Sequence, residues 1–133
     1  MSSRVLIVED ELLIALDLQD TLEDDGHEVV GIARNMETAL SLVGNASVAL
    51  VDLNLVDGRT GPEIGRRLAS EHKVTVVYLT GNPEQLNGGV EGTVGVLRKP
   101  CSPDTVLAVL EFIRHDAERR KSLDAPKALT LFP

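Results

Sequence analysis

The sequence holds a single cysteine, Cys101, so it can form neither an internal disulfide nor a cysteine-built metal cluster, and that thiol reads as a small packing residue. No apolar run approaches the roughly 20 residues that cross a bilayer, and no membrane span is expected. Basic residues are outnumbered, with 13 Lys and Arg against 21 Asp and Glu and a formal net charge of −8. Neutralising nucleic-acid phosphates needs clustered Lys and Arg, so direct nucleic-acid binding is not expected either. Met1-Ser2-Ser3-Arg4 leads into the first apolar stretch without a basic leader or a small-residue cleavage site, which points to a cytoplasmic chain. A glycine-rich phosphate loop is also missing. The turn after the first apolar run is Glu9-Asp10-Glu11, whose carboxylates would repel a nucleotide phosphate.

What is present is an alternation of two patterns. Apolar runs of strand length occupy residues 4–9, 28–33, 47–52, 74–79 and 93–97, and helical patterns fall at 11–25, 36–43, 61–71, 83–87 and 103–118. Val5-Leu6-Ile7-Val8 and Val48-Ala49-Leu50-Val51 are apolar at consecutive positions, as strands covered by helices on both faces require. The expectation is an α/β fold: a five-stranded parallel sheet, doubly wound as (βα)5. Gly26 suits a left-handed helix end, Asn35 a cap, and Ser102-Pro103-Asp104 a cap followed by first-turn proline and acid. The fourth connection holds about one helical turn before Gly88-Gly89, so a short or mobile element is predicted there. Residues 1–120 are expected to form one domain. Residues 121–133 lose periodicity, contain Pro126 and Pro133, and are predicted to be a flexible tail.

In an open parallel sheet the functional crevice lies beyond the carboxyl ends of the strands. Those ends are polar here: Glu9-Asp10 after the first strand, Asp52 at the third, Thr80-Gly81 at the fourth, Arg98-Lys99-Pro100 at the fifth. Three carboxylates at one rim repel one another unless a cation sits among them. Mg²⁺ suits a cluster of this size, because it takes few direct carboxylates, keeps waters and completes its shell with a phosphate oxygen. The Thr80 hydroxyl and the Lys99 ammonium would supply a hydrogen bond and a positive charge to other phosphoryl oxygens. A carboxylate is already ionised at neutral pH, so Asp52 needs no neighbouring base to act as a nucleophile.

With these residues in view, the chain resembles the receiver domains of bacterial response regulators over about residues 4–113. The resemblance implies a flavodoxin-like receiver fold, Asp52 as phosphoacceptor within Ala49-Leu50-Val51-Asp52-Leu53-Asn54, and Glu9 and Asp10 as the acidic pair. It further implies Thr80 as switch hydroxyl, Lys99 as phosphate-contacting lysine, the Asn54 backbone carbonyl as a further metal ligand and a cis Lys99-Pro100 peptide. Val77-Tyr78-Leu79-Thr80-Gly81-Asn82-Pro83-Glu84 is similar to the atypical receivers nicknamed FAT GUY. Two positions depart from the family pattern. Val96 stands where most receivers carry Tyr or Phe, and Val56 where most carry Pro, so switching without a rotating aromatic is expected, with the phosphorylation chemistry untouched.

The function so implied is a single-domain receiver in a two-component system. It would accept a phosphoryl group from a sensor histidine kinase with Mg²⁺ as cofactor, and signal to a downstream protein or a phosphotransferase. Such a chain catalyses only its own phosphorylation and dephosphorylation. The first helix carries Ile14, Ala15, Leu18 and Leu22 on one side and Leu12, Leu13 and Leu16 on roughly the other. One side faces the sheet, and the other is a candidate kinase contact. His27, His72 and His115 are scattered, follow no ligand spacing and receive no role. The alternative is an Asp-nucleophile phosphatase of the haloacid-dehalogenase type. Those enzymes place a second Asp two residues after the nucleophile, and Asn54 at that position cannot serve as the acid.

Overall fold

A computed structural model describes residues 2–133. The predicted alternation appears as strand β1 (Arg4–Val8), helix α1 (Leu12–Asp24), β2 (Glu28–Ala33), α2 (Met36–Leu42), β3 (Val48–Asp52), α3 (Gly61–His72) and β4 (Thr75–Thr80). Next come a 3₁₀ turn over Pro83–Leu86, β5 (Gly95–Arg98), α4 (Pro103–Ile113), the short α5 (Ala117–Arg120) and β6 (Leu129–Leu131). The sheet order is β2-β1-β3-β4-β5-β6, in which β1 to β5 run parallel and β6 pairs antiparallel with β5.

The consecutive apolar residues of the central strands divide by alternation between two cores. Leu6, Val8, Ala49 and Val51 point toward α2 and α3, where they meet Ala39, Ile64 and Leu68. Val5, Ile7, Val48 and Leu50 point the other way, onto Ala15 and Leu22 of α1 and Val106, Val109 and Leu110 of α4. All are buried, and each large aliphatic side chain so placed contributes about 1.5–3 kcal/mol of transfer free energy. The opposite side of α1 stays uncovered: Leu12, Leu13 and Leu16 are 63%, 79% and 41% exposed. The three caps form as read. Gly26 adopts φ +87°, Asn35 accepts from the Thr38 N–H at 2.8 Å, and the Ser102 hydroxyl accepts from the Thr105 N–H at 3.2 Å.

One expectation is corrected and another is extended. The last long helix does not run from 103 to 118. It stops at Ile113, and Asp116 caps a separate turn by accepting from the Arg119 N–H at 2.9 Å. Arg120 then folds back to donate to the Ile113 and His115 carbonyls, which satisfies groups that the interrupted helix leaves free. The five parallel strands stand as expected, and the stretch 121–133, predicted as a flexible tail, adds a sixth strand antiparallel to β5. Leu129 is buried against the α4 side of the sheet and Phe132 packs on the opposite side, an alternation too short to register as a strand without its partner.

Candidate functional site

Because β1, β3, β4 and β5 are parallel, their carboxyl ends meet at one rim. β1 and β3 are neighbours, with Val8 opposite Val51, so Glu9 and Asp10 emerge beside Asp52. β4 flanks β3 on the other side with Leu79 opposite Asp52, and Thr80 pairs with Arg98, one residue before Lys99. The rim therefore assembles the five predicted side chains from four strands.

Glu9, Asp10 and Asp52 each present a carboxylate oxygen within 4.8 Å of the others. Glu9 is buried, and its Oε2 accepts from the Asp10 N–H at 3.1 Å, which fixes the carboxylate against the start of α1. Asp52 Oδ1 accepts from the Leu53 N–H at 2.8 Å. The Lys99 Nζ reaches back across the sheet to donate to Glu9 Oε1 at 2.6 Å, and lies 3.5 Å from Asp52 Oδ2. Burial, reinforced by nearby Asp52, pushes the Glu9 carboxyl up to about 7 against the pull of Lys99. Burial opposes the Lys99 charge as well, yet Glu9 and Asp52 outweigh it and hold that ammonium above its ordinary value.

Thr80 is buried, and its Oγ1 accepts from the Asn82 N–H at 3.1 Å while its carbonyl accepts from the Lys99 N–H at 2.8 Å. The Lys99-Pro100 peptide is cis, as the resemblance implied. Asn54 lies exposed in the loop after β3, where Leu55 and Gly58 close a tight turn by exchanging backbone hydrogen bonds. The donor chemistry fits Mg²⁺: three hard oxygen ligands converge, and among the described residues the positive charge paired with them is an ammonium shared between two of the carboxylates.

Two contributors escaped the sequence reading. Gly61 opens α3 directly against the end of β3. A Cβ there would stand 2.2 Å from the Asp52 carbonyl oxygen and 2.5 Å from Leu53 Cα, so only glycine lets the helix approach this closely. In the sequence it stood only as the first residue of the helical pattern over 61–71. The other is Phe132, which comes from the end of β6 to lie with its ring centroid 6.3 Å from that of Tyr78. Val96, one of the two positions that depart from the family pattern, is buried on the same side of the sheet.

A family model described as "Response regulator receiver domain" matches residues 5–111. The chain is 33% identical over 132 residues to the phyllosphere-induced regulator PhyR of Methylorubrum extorquens, covering 94% of this chain and 49% of that protein. It is 31% identical over 115 residues to the transcriptional regulatory protein PdtaR of Mycobacterium tuberculosis, covering 81% of this chain and 55% of that protein. The chain thus spans about half the length of the curated relatives it matches. The solution structure of the receiver domain of the Erythrobacter litoralis PhyR response regulator superposes with a TM-score of 0.72 at 31% identity, covering 79% of this chain and 84% of that one.

Proposed function

We propose that this chain, which belongs to the response regulator receiver domain family, accepts a phosphoryl group on Asp52 from a sensor histidine kinase and signals through the resulting change in its surface. The observation that carries this reading is the convergence of the Glu9, Asp10 and Asp52 carboxylates with the Lys99 ammonium at one rim.

In the transfer, an Asp52 carboxylate oxygen attacks the phosphorus of a phosphohistidine. The phosphorus–nitrogen bond breaks, the ring nitrogen keeps the electron pair and takes a proton, and an acyl phosphate forms on Asp52. Glu9, Asp10, Asp52 and the Asn54 carbonyl would hold Mg²⁺, which when bound supplies positive charge to the phosphoryl oxygens. Lys99 then exchanges its carboxylate partners for a phosphoryl oxygen, and Thr80 donates its hydroxyl to another. The chain would act on itself rather than turn over a substrate, and a cytoplasmic location suits a kinase partner. No helix among the described residues is long and apolar enough to cross a membrane.

A groove of about 520 Å³ opens beside Lys99 between α1 and α4, lined among others by Ile14, Leu18, Thr21, Pro100 and Val106. The exposed Leu12, Leu13 and Leu16 lie on the other side of α1 from this groove and offer the kinase an apolar contact. The phosphatase alternative has no support from the family match, and Asn54 lacks the proton that its mechanism requires. The test is to incubate the chain with acetyl phosphate or a phosphorylated kinase and Mg²⁺, and to follow acid-labile, hydroxylamine-sensitive phosphate on the wild type and on Asp52→Asn. Uptake by Asp52→Asn equal to wild type would overturn the reading.

A further inference from the structure

We propose that residues 129–132 form an intramolecular strap across the outer edge of β5, and that the strap loosens when a phosphoryl group occupies Asp52. The inference rests on the phosphoacceptor reading above and adds a regulatory contact to it.

The strap is held at few points. Gly95, Val96 and Leu97 pair with Leu131, Thr130 and Leu129, and the Phe132 N–H donates to the Val94 carbonyl at 3.0 Å. Leu129 is buried, Thr130 and Leu131 are exposed, and Phe132 is half-buried. Two glycines make the fit possible. A Cβ on Gly95 would stand 2.3 Å from the Thr130 carbonyl oxygen, and one on Gly89 would stand 2.9 Å from Phe132 Cβ. The β5 edge and the floor under Phe132 thus both lack side chains where the strap lies. A three-residue edge strand with one buried leucine belongs to the low-stability end of local unfolding.

The strap also rests on the elements that end in the phosphoryl site. Phe132 packs on Tyr78, which precedes Thr80 by two residues on the same side of β4. Val96 and Leu97, its pairing partners, precede Lys99 on β5. Arg98 ties that strand end to the 3₁₀ turn by donating to the Gly81 carbonyl at 3.2 Å and to Glu84 at 3.4 Å. Drawing Thr80 and Lys99 toward a phosphoryl group moves the ends of both strands on which the strap lies. Its short ladder and its seat on Gly89 are the contacts with least packing to resist that movement.

The experiment uses the full chain with Mg²⁺ and beryllofluoride, which mimics a phosphoryl group on a carboxylate. Hydrogen exchange at residues 129–132 should accelerate about tenfold on saturation. Because coupling is reciprocal, weakening the strap should tighten beryllofluoride binding roughly fivefold or more. Phe132→Ala removes the anchor, and Gly95→Ala displaces β6 by steric contact with its backbone, so either variant suffices if the other misfolds. Unchanged exchange at 129–132 in the saturated wild type, or unchanged affinity in the folded variants, overturns the strap while leaving the phosphoacceptor reading intact. Failure of the wild type to bind beryllofluoride at all overturns both.

Discussion

The Lys99 ammonium stands 2.6 Å from Glu9 Oε1 and 3.5 Å from Asp52 Oδ2, so one cation is shared by carboxylates that arrive on two neighbouring strands. The Glu9 side chain is 3% exposed and has little water to solvate its charge. Without magnesium, Lys99 is the group that makes the buried carboxylate tolerable, and it is also the group that a phosphoryl oxygen must attract away.

Lys99→Ala is therefore expected to destabilise the metal-free protein by about 1–3 kcal/mol, less than a fully buried pair because the Lys99 side chain keeps 21% of its exposure. Saturating Mg²⁺ should recover more stability in this variant than in the wild type, since it relieves a charge that has lost its partner. Denaturant midpoints with and without Mg²⁺ measure both effects. Equal Mg²⁺ stabilisation in the two proteins would argue against Glu9 as part of the cation site.

Asp10 supplies the carboxylate of the cluster that makes no ion pair with Lys99. Its removal should weaken Mg²⁺ binding by about tenfold or more while leaving the fold intact, because Asp10 is half-exposed and at the start of a loop. Calorimetric titration of Asp10→Ala against wild type checks this. An unchanged affinity would mean that the cation binds elsewhere.

Asp52 is expected to be the sole phosphorylated residue. Asp57 is the nearest rival along the chain, but it is occupied: its carboxylate accepts from the Thr60 hydroxyl at 2.6 Å and from the Met36 N–H at 3.1 Å. The Thr60 hydrogen bond also holds the Asp57 carboxyl below its ordinary value, the mark of an anchored loop ligand. Mass spectrometry after acetyl phosphate treatment should place the modification on Asp52, and placement on Asp57 would refute the assignment.

How much of this was legible in the sequence depends on range. The runs at Val5–Val8 and Val48–Val51 announced a parallel sheet because burial on both faces leaves no room for polar alternation. Glu9, Asp52, Thr80 and Lys99 could be found because strand ends can be counted from the strands themselves. The Glu9–Lys99 contact could not, since it spans 90 positions and depends on how a flexible side chain crosses the rim. β6 was hidden for a related reason. Leu129, Thr130 and Leu131 have no strand signal of their own and acquire one from the bare edge that Gly95 offers them. The split after Ile113 turned on Asp116 preferring to cap a new turn, a local competition that apolar periodicity does not weigh.

Gly61→Ala is predicted to damage the site through the backbone. The added Cβ would meet the Asp52 carbonyl and Leu53 Cα, neither of which can rotate away. A destabilisation of about 2 kcal/mol or more is expected, at the upper side of ordinary overpacking. Phosphorylation should slow as well, because relief of the contact displaces the residue that carries the nucleophile. Urea unfolding combined with acetyl phosphate kinetics separates the two losses. Wild-type stability and rate in Gly61→Ala would show that α3 can shift without cost.

Residues 81–92 are the expected route by which phosphorylation reaches the surface. Thr80 holds this segment at its first turn, where its hydroxyl accepts from the Asn82 N–H, so the same oxygen that a phosphoryl group would engage also orders the start of the loop. Beyond it the chain makes only the 3₁₀ turn of Pro83–Leu86 and then passes Gly88, Gly89 and Gly92, all at positive φ. Leu86 is buried, and the residues after it have few side chains with which to hold a fixed course. Val96 is stiff about its first torsion and too small to exchange a buried site for a distant exposed one, so a rotating side chain at that position of β5 is not available to carry the signal. Phosphorylation is therefore expected to act by changing the order of residues 81–92. Backbone relaxation and hydrogen exchange across this segment should change on adding beryllofluoride with Mg²⁺. The change should be largely lost in Thr80→Ala, which can still carry the phosphoryl mimic on Asp52 but offers it no hydroxyl. Identical dynamics across 81–92 in the free and saturated wild type would show that the signal leaves the site by another route.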